Sequence, residues 1–153
     1  MRSFGKLEDE GTNMAEESNS KVHWSFWLIG VVALVWNLMG IANYMMQMNA
    51  EKLTGMPEWW LAVTESRPVW ATGAMAISVF GGALGGLMML LRKSSAFYLF
   101  VVSFLGTIVT MAHAVGVPGA GARQIFEGLI MPFAVSAVFV WYARLATRKG
   151  WLA

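Results

Sequence analysis

Four long apolar stretches separated by short polar segments set the pattern of the chain. Trp24 to Met46 carries no charge, is too long for the apolar part of a signal peptide, and is followed by no small-residue cleavage site, so it reads as a retained helix. Val69 to Leu91 is 23 uncharged residues closed by Arg92 and Lys93. Ala96 to Val115 and Phe126 to Ala146 complete the set. At 1.5 Å per residue, about 20 residues cross ~30 Å of hydrocarbon, and each stretch is long enough. The pattern predicts an all-α integral membrane four-helix bundle, with spans at 24–46, 69–91, 96–115 and 126–146 inside a membrane domain of residues 24–148.

The connections differ in length and character. Residues 1–23 are polar and lack helical periodicity, which predicts a disordered tail, with Met14 as an alternative start. Arg92 to Ser95 leaves room only for a tight turn, so the second and third spans should be antiparallel neighbours. Residues 116–121, Gly-Val-Pro-Gly-Ala-Gly, form a short helix-breaking loop. The longer loop, 47–68, carries Glu51, Glu58 and Glu65, and Pro57 is placed to start a short interfacial helix through Ser66, anchored by Trp59 and Trp60. No internal repeat is evident, which gives little support to inverted-repeat transport.

Lys and Arg near span ends are retained on the cytoplasmic side. Arg2, Lys6, Lys21, Arg92, Lys93, Arg144, Arg148 and Lys149 fall on one side, and Lys52, Arg67 and Arg123 on the other. Both termini, including the tail 147–153, are therefore expected in the cytoplasm and the loop 47–68 in the periplasm.

Composition narrows the classes further. With 57% hydrophobic and 13% charged residues the chain is too apolar for an ordinary soluble domain, and the lipid bilayer is its expected surroundings. The net charge of +2 comes from small basic groups beside apolar spans, not from a stripe with stacking aromatics, so nucleic acid is not an expected partner. Zero cysteines exclude disulfides, thiolate metal sites and a cysteine nucleophile. The two histidines, His23 and His113, are predicted at opposite membrane faces, so neither a metal nor a cofactor is expected.

Polar and small residues within the spans are the candidate chemistry. Asn37, Gly40 and Tyr44 share one face of the first span, with Asn43 beside it. Thr110 belongs to a hydroxyl stripe on the third span, and His113 and Glu127 lie near one membrane surface. Together these six polar residues, Asn37, Asn43, Tyr44, Thr110, His113 and Glu127, are candidates for a small polar cavity; the competing reading is interhelical hydrogen bonding plus an interfacial His and Glu. Gly81 with Gly85 and Gly82 with Gly86 form two overlapping small-xxx-small pairs, either a contact between spans of one subunit or a dimer face. The methionines read as packing rather than soft-metal ligands. The middle of every span lacks an ionisable residue, which disfavours a deep carboxylate relay.

Trp36-Asn37-Leu38 with Gly40 and Tyr44, Glu65-Ser66 with Pro68 and Trp70, and Ala76-Ile77 with Val79-Phe80-Gly81-Gly82 form a recognisable set. With Leu84-Gly85, Leu90-Leu91-Arg92-Lys93, Ala96, Leu99-Phe100 and Gly150-Trp151-Leu152, the chain resembles a family of small four-span bacterial inner-membrane proteins often labelled sugar transporter or sugar:proton symporter. Thr110 and His113 stand where that family tends to have Gln and Tyr. The resemblance implies four helices, a bacterial inner membrane and no cofactor, and it supplies no catalytic residues. Two functions follow as expectations. The first is a non-enzymatic accessory or self-associating subunit, as a homodimer or in a larger membrane complex. The second is a small-solute, sugar-like transporter working as a dimer, with a proton-linked site built on His113 and Glu127.

Overall fold

The computed structural model describes residues 22–49, 54–118 and 121–152. The expected disordered tail, apart from Val22 and His23, lies outside them, as do Glu51, Lys52, Gly119 and Ala120. Five helices follow in order: α1 Trp24–Gln47, α2 Glu58–Glu65, α3 Val69–Leu90, α4 Ser95–Val115 and α5 Ala122–Arg148. Among the described residues there is no strand. Four of the five helices are long and apolar enough to cross a membrane. Large apolar side chains such as Leu28, Val35, Leu38, Val102 and Val138 are about half exposed along their flanks. Apolar surface on that scale belongs against lipid, and the chain is an integral membrane protein with an all-α four-helix bundle.

The helix ends explain the tight connections. His23 caps α1, its Nδ1 accepting from the Ser25 amide at 3.3 Å. After α3 the chain reverses through Arg92 in the left-handed region (φ 57°), with the Arg92 amide donating to Met89 and the Lys93 amide to Met88. Both bonds satisfy carbonyls that a helix terminus leaves open, in the pattern usually built around glycine. Gly150 (φ 68°) repeats it after α5, where the Gly150 and Trp151 amides donate to Thr147 and Ala146. The reversal turns Trp151 and Leu152 inward. Both are buried, the indole packs edge-on to Phe26 at 6.0 Å, and the Trp151 carbonyl accepts from Arg92 Nε at 3.1 Å. The segment 147–153, expected as the cytoplasmic C-terminus, therefore packs into the bundle as far as Leu152.

The main packing seams join α1 to α3, α3 to α4 and α4 to α5. Phe26, Met89, Phe100, Phe139, Tyr142 and Trp151 fill the interior at the end bearing the termini. The glycines decide how closely the seams approach. Gly82 and Gly86 face α1, Gly82 against the Asn37 amide and Gly86 against the Leu34 backbone. Gly81 and Gly85 face α4, against Ser103 and Phe100. Gly40 of α1 lies against Val79, and Gly106 of α4 brings its backbone onto Ala74 and Ser78 of α3. Of the two readings of the small-xxx-small pairs, this is the contact between spans of one chain. Between α3 and α4, Ser103 Oγ donates to the Ser78 carbonyl at 2.6 Å, and the Ser78 and Thr107 hydroxyls meet at 2.7 Å.

Candidate functional site

Helix α2 packs back against the bundle. Its inner face, Ala62 and Val63, packs with Ala114, Val117, Ile125 and Leu129 at the α4–α5 end, and the tip of the Trp59 indole sits on Gly128 of α5. Trp59 and Trp60 are half-buried. Folded back in this way, α2 roofs a space that the four spans leave open, a cavity of about 350 Å³. That lies at the small end of the range of ligand pockets, about 300–1,000 Å³.

Each helix contributes to its wall. From α1 come Trp36, Asn37, Met39, Gly40, Asn43 and Gln47. From α2 come Trp59, Trp60, Val63 and Thr64, followed by Arg67 in the connection to α3. Met75, Ser78 and Val79 of α3, and Thr107, Thr110, Met111 and Ala114 of α4, form the opposite side. Gly128, Leu129, Pro132 and Ser136, nearly all one helical face of α5, close it. The lining is mostly apolar and aromatic, with a few polar groups placed among the rings. Asn43 is exposed while also lining the cavity, so the space is open beside it, where α1 and α5 share no seam comparable with the other three.

Most of the polar wall is already engaged. Asn37 Nδ2 donates to the Ala33 carbonyl at 2.8 Å, Thr107 Oγ1 to Ser103 at 3.1 Å, Thr110 Oγ1 to Gly106 at 2.9 Å and Ser136 Oγ to Pro132 at 2.7 Å. Such bonds satisfy a hydroxyl or amide at membrane depth without a partner helix. Arg67 and Thr64 differ. Arg67 Nη1 donates to Gln47 Oε1 at 2.5 Å and to Met75 Sδ at 3.0 Å. Its Nε, and Thr64 Oγ1 one turn earlier, are buried with no hydrogen-bond partner among the described residues. Among the described residues Arg67 is the one charged residue in the lining. Burial lowers the affinity of its guanidinium for the proton, with the Tyr44 phenol acting in the opposite sense. An arginine nevertheless keeps its charge, so the result is a poorly solvated cation with donors to spare.

The sequence candidates separate around this cavity. Asn37, Asn43 and Thr110 line it, and Gly40 forms part of its wall. Tyr44 does not; its ring packs edge-on to Phe80 at 6.1 Å. His113 occupies a separate depression with Ser66, Trp70 and Pro118, edge-on to the Trp70 indole at 5.8 Å, its Nε2 buried and without a hydrogen-bond partner among the described residues. Glu127 is on the surface of α5, paired with Arg123 at 2.7 Å. The pair is exposed on both sides and four residues apart, a geometry that contributes little. Replacing Glu127 with Gln should change stability by no more than about 0.5 kcal/mol in a detergent unfolding titration, a margin typical of exposed helix pairs. Gln47, Thr64, Arg67, Ser78, Pro132 and Ser136 line the cavity without having been marked by the sequence. A proline inside an apolar span was the legible sign among them; Arg67 counted there only toward orientation. Among the described residues no group of three His, Cys, Asp or Glu is placed to hold a metal. Comparison of the chain with family models, curated proteins and solved structures finds no match.

Proposed function

We propose that the protein is a non-enzymatic membrane protein that binds a small solute in the cavity beneath α2, and that it serves transport, with movement of α2 giving access. The observation that carries this is the cavity itself: all five helices wall it, its few polar groups converge among Trp36, Trp59 and Trp60, and it stays open beside Asn43. A bundle needed only for assembly gains nothing by leaving such a space in its interior, where close packing is the rule. The self-associating reading also loses part of its motive, since Gly81, Gly82, Gly85 and Gly86 are all engaged within the chain. A dimer remains compatible with transport, because four spans leave little room for an alternating route within one subunit. Proton linkage through His113 and Glu127 has no support from their positions outside the cavity. The bacterial inner membrane and cytoplasmic termini stay part of the proposal, on the resemblance and on the distribution of Lys and Arg.

The test exploits a chain without cysteine. Asn43→Cys places a single thiol at the cavity opening, and Ser66→Cys places one on an exposed site outside the cavity. In mild detergent, a solute of the right class should slow maleimide labelling of the first saturably and leave the second unchanged. Equal labelling of both variants at every concentration of sugars, amino acids and organic acids would remove the binding reading.

A further inference from the structure

We infer that the solute is an organic monoanion whose carboxylate is held by Arg67 and Thr64, with an apolar or aromatic body lying along Trp36, Trp59 and Leu129. The inference rests on the proposal above that the cavity binds a solute. Its support is the set of donors left over in the wall. Arg67 Nε and Thr64 Oγ1 are both buried, both unpartnered among the described residues, and one turn apart, with the Arg67 amide closing that turn on the Thr64 carbonyl at 3.4 Å. Leaving a buried donor unpaired is costly, and more so for a charged one. An anion arriving with acceptor oxygens removes that cost for both groups at once.

Both atoms, Arg67 Nε and Thr64 Oγ1, are closed to solvent, so a solute reaches them only as α2 moves. Gln47, itself buried, and Met75 hold Nη1, so the guanidinium is oriented before any solute arrives. Gln47 is thus a positioning residue, and preorganised donors lose little freedom on binding. The charge count favours a single negative charge. Among the described residues no Asp or Glu lines the cavity and one cation does, so a dianion would bring a second charge into a largely apolar space with nothing there to balance it. A neutral sugar would leave the arginine uncompensated. The ring-rich wall fits a body with few hydroxyls, because Asn37, Thr107, Thr110 and Ser136 already bond to their own helices.

The experiment uses the full chain in detergent with matched carboxylate and amide probes: acetate and acetamide, phenylacetate and phenylacetamide, octanoate and octanamide. The readout is protection of Asn43→Cys from maleimide, with thermal shift of the cysteine-free protein beside it. At least one carboxylate is expected to protect about 10- to 100-fold more tightly than its amide, the range for a hydrogen bond to a charged group. Arg67→Gln should erase that preference. Thr64→Val, which keeps shape and fold, should reduce carboxylate affinity about 10-fold and leave the amide unchanged. Phosphatidylglycerol protecting in an Arg67-dependent way, with the free carboxylates competing, would support the same oxyanion site with a lipid as its natural source. Amides protecting as well as carboxylates would overturn the inference and leave a solute site standing. Protection by none of the probes, in a protein whose thermal unfolding is intact, would overturn the inference and leave the solute site to be decided by labelling in the presence of sugars and amino acids. Equal loss of stability in Arg67→Gln and Glu51→Gln, with no carboxylate preference, would also overturn it, because the arginine would then be half of an internal ion pair.

Discussion

Gly106→Ala is expected to lower the unfolding free energy by about 2 kcal/mol in mild detergent, although alanine is the better helix former by ~1 kcal/mol. The Cβ of an alanine there would sit 2.6 Å from the Ala74 carbonyl oxygen and 3.0 Å from the Ser78 amide nitrogen. Both are backbone atoms, so no rotamer change relieves the clash and α3 must move away from α4. That movement opens the bonds between Ser103 and Ser78 and between Ser78 and Thr107, each contributing about 0.6–2 kcal/mol between membrane helices. Without a hydrophobic drive for association in lipid, close backbone approach is most of what holds such a seam. Gly73→Ala is the matched control. Nothing lies within 4 Å of its added methyl, so it should be neutral or gain stability. Equal behaviour of the two variants would mean that the α3–α4 spacing is not what holds the bundle.

The spans were readable because the bilayer imposes one length on any helix that crosses it, and an uncharged run of that length has few other uses. The largest discrepancy is instructive. The helix of the fourth span, α5, begins at Ala122, ahead of the apolar run that starts near Phe126, because a helix can extend past the hydrocarbon where hydropathy falls. The cavity was legible only in part. Asn37, Asn43 and Thr110 stand out as polar positions in apolar runs, and all three line it. Tyr44 shares the face pattern of Asn37 along the chain, but its ring turns to Phe80 instead, a choice made by the neighbouring helix. Arg67 resisted sequence reading for a different reason. In a loop at a span end, an arginine reads as an orientation signal, and its role depends on α2 folding back and on Gln47 twenty residues earlier. Such a contact has no period along the chain. In the closing Gly150-Trp151-Leu152 a left-handed glycine seats an indole on Phe26, a contact that no apolar periodicity announces.

Pro132→Ala should make the protein more stable, by about 1–3 kcal/mol, and a poorer binder. Proline has no amide hydrogen, so the Gly128 carbonyl loses the donor that residue 132 would supply in an uninterrupted helix. At membrane depth no bulk water replaces it, and non-helical backbone is tolerated where it is buried in protein or borders a cavity. Gly128, Pro132 and Ser136 all border this one, with the Trp59 indole against Gly128. The missing amide hydrogen and the bare glycine surface let the tip of α2 approach the α5 wall, at a cost in helix stability. The alanine supplies the missing donor and, on the proposed function, draws the cavity wall closed. The expected result is a higher melting temperature for Pro132→Ala with weaker solute protection of Asn43→Cys in the same protein. A lower melting temperature would mean that the proline ring is needed for packing and that the Gly128 carbonyl already has a partner. Higher stability with unchanged protection would separate the proline from the binding site and leave the interruption of α5 as a feature of the helix alone.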